Sequence, residues 1–240
     1  MKIDTSNIFK NYNIIAGVTR ANKDLFPPYG FAITKGEIYT DEEIIEMRKH
    51  FFEYLKIDPE NFVFQKQIHS DLVRIVDENY TYGEHDGLIT KLKGKVLVLS
   101  LADCSGILIY DRNKEIISAV HSGWRGTAQN IIGKTINIMI DEFQSDPKDL
   151  LCYLSPSAGG NNYEIGAELL DKLGEFTIER AGKYYFDNKA MIKNQLLKIG
   201  ILEENIETSE ICTIENEDYH SFRRDKKESG RMAAFIRMEI

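Results

Sequence analysis

Apolar residues in this chain gather into short dense runs between polar turns, and helical spacing shows in only a few places. Val96 to Leu101 is nearly continuous and reads as a strand buried on both faces, because a half-solvated strand would alternate. Val73 to Val76 reads as a second strand, and Arg231 to Met238 as a final one. Ile107 to Tyr110 and Ile116 to Val120 read as neighbouring strands parted by the turn Asp111-Arg112-Asn113. Thr40-Asp41-Glu42-Glu43 has the hydroxyl and carboxylate of a capping box. Ile44, Ile45, Phe51, Phe52 and Leu55 then form the apolar stripe of a helix ending near Lys56, with His50 at its surface. Helices are also expected over Thr127 to Phe143, with Ile132, Ile136, Ile140 and Phe143 facing the core, and near Ile165 to Phe176. Another runs from Asn188 to Ile199 and stops on Gly200. Strands outnumber helices without alternating regularly with them, so the expectation is an α+β fold with a mixed β-sheet core and flanking helices. No repeat or linker divides the chain, and residues 1–240 are expected to form one domain.

Composition narrows the classes of function. The chain has 240 residues, 42% of them hydrophobic, enough for a real core. A net charge of −8 argues against nucleic-acid binding, which needs a basic face. No apolar run approaches the roughly 20 residues that cross a bilayer, and Met1 to Asn7 opens no signal-peptide pattern. Three scattered cysteines make no disulfide framework, so a cytoplasmic location is expected. Cys152 and Cys212 sit within apolar stretches and read as buried strand residues. Cys104 differs, because Asp103 and Ser105 flank it at a strand exit.

The candidate chemistry lies in Ala102-Asp103-Cys104 and Val120-His121-Ser122-Gly123-Trp124-Arg125-Gly126, which place a thiol and an imidazole just past two apolar runs. Such a pair suits either a metal site or a thiolate nucleophile with its base. Of the other histidines, His85 precedes the turn signal Asp86-Gly87 and reads as solvated. His220 lies in a polar segment that can border a site, and His69 precedes a strand, a place for a ligand or an N-cap. Gaps of 35 and 17 residues between His69, Cys104 and His121 match no zinc finger and no H-E-x-x-H helix. Spacing alone therefore leaves a three-ligand site open against a core histidine and an inert cysteine. Gly123 and Gly126 bracket Trp124-Arg125 between a strand and a helix. That turn can bring backbone N–H groups and Arg125 to an anion, or simply pack Trp124 into the core or along a pocket for a planar ring.

These segments resemble the laccase-domain family, also called the multicopper-polyphenol-oxidoreductase-type or bacterial purine nucleoside phosphorylase family. Gln67-Ile68-His69 resembles its Q-V-H, Asp86 to Thr90 its A-D-G-L-I-T, and Ala102-Asp103-Cys104 its A-D-C. His121 to Gly126 resembles H-A-G-W-R-G, Tyr163 to Gly166 resembles Y-E-V-G, and Ser221 to Asp225 with Gly230-Arg231-Met232 resembles S-Y-R-R-D and G-R-M. The resemblance implies a zinc site of His69, Cys104 and His121, with copper also acceptable to such a set. It implies phosphorolysis of adenosine, inosine or methylthioadenosine and deamination of adenosine. On such a mechanism the candidate catalytic residues are Cys104, His121 and Asp103, the last either an outer partner or proton shuttle of the metal or simply a turn cap. Arg20, Arg125, Arg223 and Arg231 are the candidates to bind substrate and phosphate. The expected partners are purine nucleosides and phosphate, with no nucleic acid and no membrane, in a monomer or homodimer. The implied fold is similar to that of the cytotoxic necrotizing factor catalytic domain.

A copper-dependent polyphenol oxidase is the less favoured member of this family to expect, since the chain has no H-x-H pairs. Two rival readings keep the same residues: a Cys–His hydrolase or deamidase using Cys104 and His121, and a metal-stabilised module without catalysis. The sequence also departs from the family pattern. Ala21-Asn22 replaces a glycine pair, Phe31-Ala32-Ile33 replaces S-L-N, and Ser105-Gly106-Ile107 lacks a proline. Ser155-Pro156 stands for G-P, and Asn161-Asn162 for two cysteines.

Overall fold

The apolar runs stack as two mixed sheets lying face to face in the computed structural model, which describes residues 1–240. The first sheet runs Ile3–Thr5, Ile14–Thr19, Met232–Met238, Val96–Leu101, Phe62–Val63 from edge to edge, its last pair parallel. The second runs Ile206–Thr208, Leu150–Leu154, Ser105–Asp111, Ile116–Ser122, Gly87–Thr90, Val73–Ile75, with a parallel pair at each edge. A small antiparallel sheet of Glu164–Ile165, Lys183–Phe186 and Thr177–Arg180 stands apart.

The two-residue period of a strand explains why the runs are continuous. Leu97, Leu99 and Leu101 point between the sheets onto Leu108, Ile117, Ala119 and Tyr153. Val96 and Val98 point the other way, onto Ile44, Met47 and Phe51 of helix Asp41–Leu55. On the second sheet, Ile107, Ile109 and Val120 face outward and pack on Ile132, Ile136 and Met139 of helix Ile131–Phe143 and on Ile192 and Leu196 of helix Asn188–Lys198. Four layers result: helix, sheet, sheet, helices.

A one-residue slip of such two-faced strands would still bury apolar side chains, so register is set at the strand ends. Asp111 accepts the N–H groups of Asn113 and Lys114, both at 2.9 Å, and this turn places Gly106 opposite His121 and Ser105 opposite Ser122. Cys104 occupies the short passage from Val96–Leu101 in one sheet to Ser105–Asp111 in the other. Topology thereby brings the thiol beside the end of the histidine strand.

Several expectations need correction. The helix expected over Thr127 to Phe143 is two helices, Trp124–Ala128 and Ile131–Phe143. Asn130 breaks them: it takes a left-handed φ of 58°, and its side chain accepts the Gly133 N–H, a local bond that competes with the helix ladder. Ile140 and Phe143 are only half-buried, while Ile131 and Met139 share the core face. The stretch Ile165 to Phe176 is no continuous helix but short turns around Leu170–Leu173, ended by Gly174 at φ 53°. In Asp41–Leu55 the capping box forms as expected, but Ile45 is solvent-exposed and Met47 takes its place at the i+3 position from Ile44. Cys152 is buried in a strand; Cys212 instead forms an isolated bridge with Ser157.

Candidate metal centre

Two loops and a strand end that are distant in sequence meet where the sheets end. His121 closes the Ile116–Ser122 strand and is buried, Cys104 is partly exposed, and His69 is exposed on the loop before Val73–Ile75. Their ligand atoms all lie within 4.8 Å of one another, with Cys104 Sγ 3.9 Å from His69 Nε2. The two imidazole rings stand nearly perpendicular at 4.9 Å. A zinc ion with bonds of about 2.0–2.1 Å to nitrogen and 2.3 Å to sulfur would set tetrahedral edges of about 3.5 Å. The donor set fits that geometry after a small inward shift, which exposed His69 is free to make. Gly123 is needed where it stands, because a Cβ there would come within 2.7 Å of the Cys104 sulfur.

The electrostatics favour ligand-ready forms. Burial alone would raise the Cys104 thiol, but the neighbouring imidazoles of His121 and His69 outweigh it and hold the pKa at about 6. Burial would likewise lower His121, yet the Cys104 thiolate and the Asp86 carboxylate lift it to about 9. A thiol held low beside two imidazoles is suited to give up its proton to a metal, which would then supply the sulfur's counter-charge.

The cleft above this set encloses about 740 Å³. Arg125, Arg223 and Arg231 line it, as do Asp103, Trp124 and Tyr163. Each arginine rests on an aromatic face: Arg125 on Trp124 at 4.4 Å, Arg223 on Tyr163 at 5.0 Å and Arg231 on Phe222 at 5.5 Å. Arg223 also donates to the Glu164 carbonyl, and Arg231 to those of Ser229 and Gly230. Guanidinium groups held by rings and carbonyls keep their charge available for an anion in a way that ion-paired ones do not.

Arg20 is not in this cleft. Its guanidinium is tied to Asp4 at 2.8 Å and Asp218 at 2.9 Å, joining the N-terminal strand to the C-terminal segment. Asp103 borders the cleft with a left-handed φ of 76°, but both carboxylate oxygens are engaged, one by the Thr213 hydroxyl at 2.7 Å and one by the Arg223 N–H at 2.6 Å. It holds the cysteine loop against the segment that carries Arg223.

His85 and His220 stand away from the metal set. His85 is buried rather than solvated, because the Lys66–Glu84 bridge draws its segment onto the fold and Tyr80 meets its ring at 2.9 Å. His220 is buried and donates to the Phe31 carbonyl at 2.6 Å. Of the departures from the family pattern, Asn22 takes a left-handed φ of 51°, a conformation asparagine tolerates where glycine is usual. Phe31, Ala32 and Ile33 are fully buried beneath helix Asp41–Leu55, so that change repacks the core instead of the cleft.

One functional residue escapes sequence reasoning. Asp86, fully buried, accepts from His121 Nδ1 at 2.8 Å and from the N–H groups of His69 and Ser70 at 3.1 and 2.6 Å. Its place in Asp86-Gly87 marks a turn, and nothing local distinguishes it from an ordinary turn aspartate.

Fold and site together define an α+β protein whose two stacked mixed sheets end in a cleft with a His–Cys–His set able to hold a metal ion. Residues 33–239 match the family described as multi-copper polyphenol oxidoreductase laccase, and the chain belongs to that family. It is 36% identical over 177 residues to a purine nucleoside phosphorylase of Clostridium acetobutylicum, covering 72% of this chain and 75% of that one. It is 30% identical over 229 residues to the purine nucleoside phosphorylase YfiH of Shigella flexneri, covering 91% and 90%. The crystal structure of YlmD from Geobacillus stearothermophilus superposes with a TM-score of 0.88 at 26% identity, covering 98% of this chain and 94% of that one.

Proposed function

We propose that this protein is a zinc-dependent purine nucleoside enzyme of the cytoplasm, which cleaves adenosine, inosine or methylthioadenosine with phosphate and deaminates adenosine. The observation that carries the reading is the convergence of His69, Cys104 and His121 at the floor of a cleft walled by three arginines on aromatic rings. The names borne by relatives in Clostridium acetobutylicum and Shigella flexneri support the substrate class.

His69 Nε2, Cys104 Sγ and His121 Nε2 would hold the zinc at the floor of the cleft. When bound, the metal supplies a Lewis acid at the cleft floor. Arg125, Arg223 and Arg231 would bind inorganic phosphate, offsetting the charge that otherwise opposes its approach to ribose C1′. Trp124, half-buried in the cleft wall, would offer flat apolar surface for the purine, while buried Tyr163 backs Arg223. In phosphorolysis a phosphate oxygen bonds to C1′ as the bond to the base nitrogen breaks; the base leaves with a proton, and ribose 1-phosphate remains. In deamination water replaces the 6-amino group, releasing inosine and ammonia. Asp103 acts by position, keeping Arg223 and Cys104 in place.

A Cys–His hydrolase has one specific observation in its favour, the low-lying Cys104 thiol beside His121. The same experiment separates the two readings. Metal-analysed protein is incubated with adenosine and with inosine, with and without phosphate. The expected products are ribose 1-phosphate only with phosphate, and inosine from adenosine without it. Absence of both across all substrates would overturn the nucleoside reading, and turnover that survives complete metal stripping would favour the hydrolase.

A further inference from the structure

The Asp86 carboxylate touches two of the three metal ligands from behind, and its contacts divide unequally between its oxygens. Oδ1 accepts from His121 Nδ1 at 2.8 Å and from the His69 N–H at 3.1 Å. Oδ2 accepts from the Ser70 N–H at 2.6 Å, the Ser70 hydroxyl at 2.7 Å and the Ile68 N–H at 3.3 Å. The Asp86 carbonyl also accepts the His121 N–H at 2.7 Å. The side chain is wholly buried, so these bonds are its only compensation for leaving water. His69 itself sits at a left-handed φ of 60°, a conformation a non-glycine residue keeps only where its surroundings impose it.

From these contacts we infer that Asp86 is the positioning residue of the metal centre, setting the tautomer of His121 and the backbone of His69 through one carboxylate. A carboxylate only accepts, so it requires the proton on His121 Nδ1 and leaves the Nε2 lone pair facing Cys104 and the cleft. The Ile68 and Ser70 N–H groups and the Ser70 hydroxyl hold the other oxygen, the His69 N–H shares Oδ1 with His121, and together they hold the His69 loop at the height of the ring. An imidazole fixed by an outer carboxylate binds metal in one orientation and with greater basicity. The same carboxylate thus couples a buried ligand on a strand to an exposed ligand on a loop, two elements with no direct backbone pairing between them.

Asp86→Asn tests this because an amide cannot satisfy both sides. With its oxygen in the Oδ2 place, its NH₂ meets His121 Nδ1 and forces the proton onto Nε2, the atom that must be bare for a metal. With its oxygen in the Oδ1 place, its NH₂ meets three donors. The inference rests on the metal reading above, and the two fail separately. Zinc affinity is measured by competition with a chromophoric chelator for the full-length wild type, Asp86→Asn and Ser70→Ala, alongside the visible spectrum of each protein loaded with cobalt(II). The expected result is an affinity lower by about 10- to 100-fold in Asp86→Asn, with a changed cobalt spectrum, and a smaller loss in Ser70→Ala. A folded Asp86→Asn that binds zinc as the wild type does would overturn the inference, whereas a wild type that binds no zinc would overturn the metal reading itself. If Asp86→Asn does not fold, nitrogen NMR of the zinc-loaded wild type decides: a proton on His121 Nδ1 is expected, and a proton on Nε2 would refute the inference.

Discussion

Gly123 shows how tightly single residues control this site. Its backbone, at φ −83°, is open to any amino acid, so its only constraint is space: an added methyl would meet Cys104 Sγ at 2.7 Å. Gly123→Ala is expected to keep its fold yet lower zinc affinity by roughly tenfold, in line with disturbed ligand orientation; chelator competition alongside circular dichroism checks both parts. Arg125 gives the complementary case. It is exposed and rests only on Trp124. Arg125→Ala should raise the KM for phosphate by about tenfold, the loss of one charge-assisted contact, while the nucleoside KM stays nearly constant. Steady-state kinetics with each substrate varied in turn tests that split. At this scale the sequence is only partly readable. Cys104 and His121 announce themselves at strand exits, but His69 has no local signal and enters through family resemblance alone. Asp86 looks like any turn aspartate, because its importance comes from donors 16 to 35 residues away.

At the scale of elements, local chemistry decides where the apolar pattern is ambiguous. Ile131, Ile132, Ile136 and Met139 continue smoothly from the helical turn before them, which is why one long helix is the natural expectation. Asn130 interrupts it by combining a left-handed backbone with an N-cap that accepts the Gly133 N–H. Asn130→Gly keeps the backbone freedom and loses only the cap bond, so a cost of a few tenths of a kcal/mol is expected. Asn130→Ala loses the cap and strains the backbone, with an expected cost of about 2 kcal/mol. Urea unfolding of the two variants distinguishes them, and equal costs would contradict the assignment. The preceding short helix starts at Trp124, after Gly123, and its first two residues, Trp124 and Arg125, line the cleft.

Across the whole molecule, the α+β class and most strands were readable because unbroken runs such as Val96–Leu101 can only be buried on both faces. The stacking of two mixed sheets was not, since a run apolar on both faces does not say which neighbour covers which face. Nor was the burial of His85 and His220, both in polar segments that tertiary contacts cover. His220 carries a whole-molecule consequence. Burial pushes its pKa from 6.5 down to about 4, so the folded protein holds it neutral while the unfolded chain takes up a proton. Its contribution to stability is therefore full above pH 6.5 and is lost as pH falls toward 4, on the order of 3 kcal/mol over that window. His220→Gln can still donate to the Phe31 carbonyl but does not titrate. Its stability should fall less than the wild type's between pH 7 and pH 4.5 in parallel denaturant titrations, and identical slopes would contradict the assignment.

The central claim is that metal held by His69, Cys104 and His121 is what makes this cleft an enzyme. It is tested most directly by titrating zinc into stripped protein and recording phosphate-dependent release of ribose 1-phosphate against bound metal. Turnover should rise in proportion and level off at one zinc per chain, and Cys104→Ala should neither retain the metal nor turn over substrate. Full turnover by stripped protein, or by Cys104→Ala without metal, would contradict the claim.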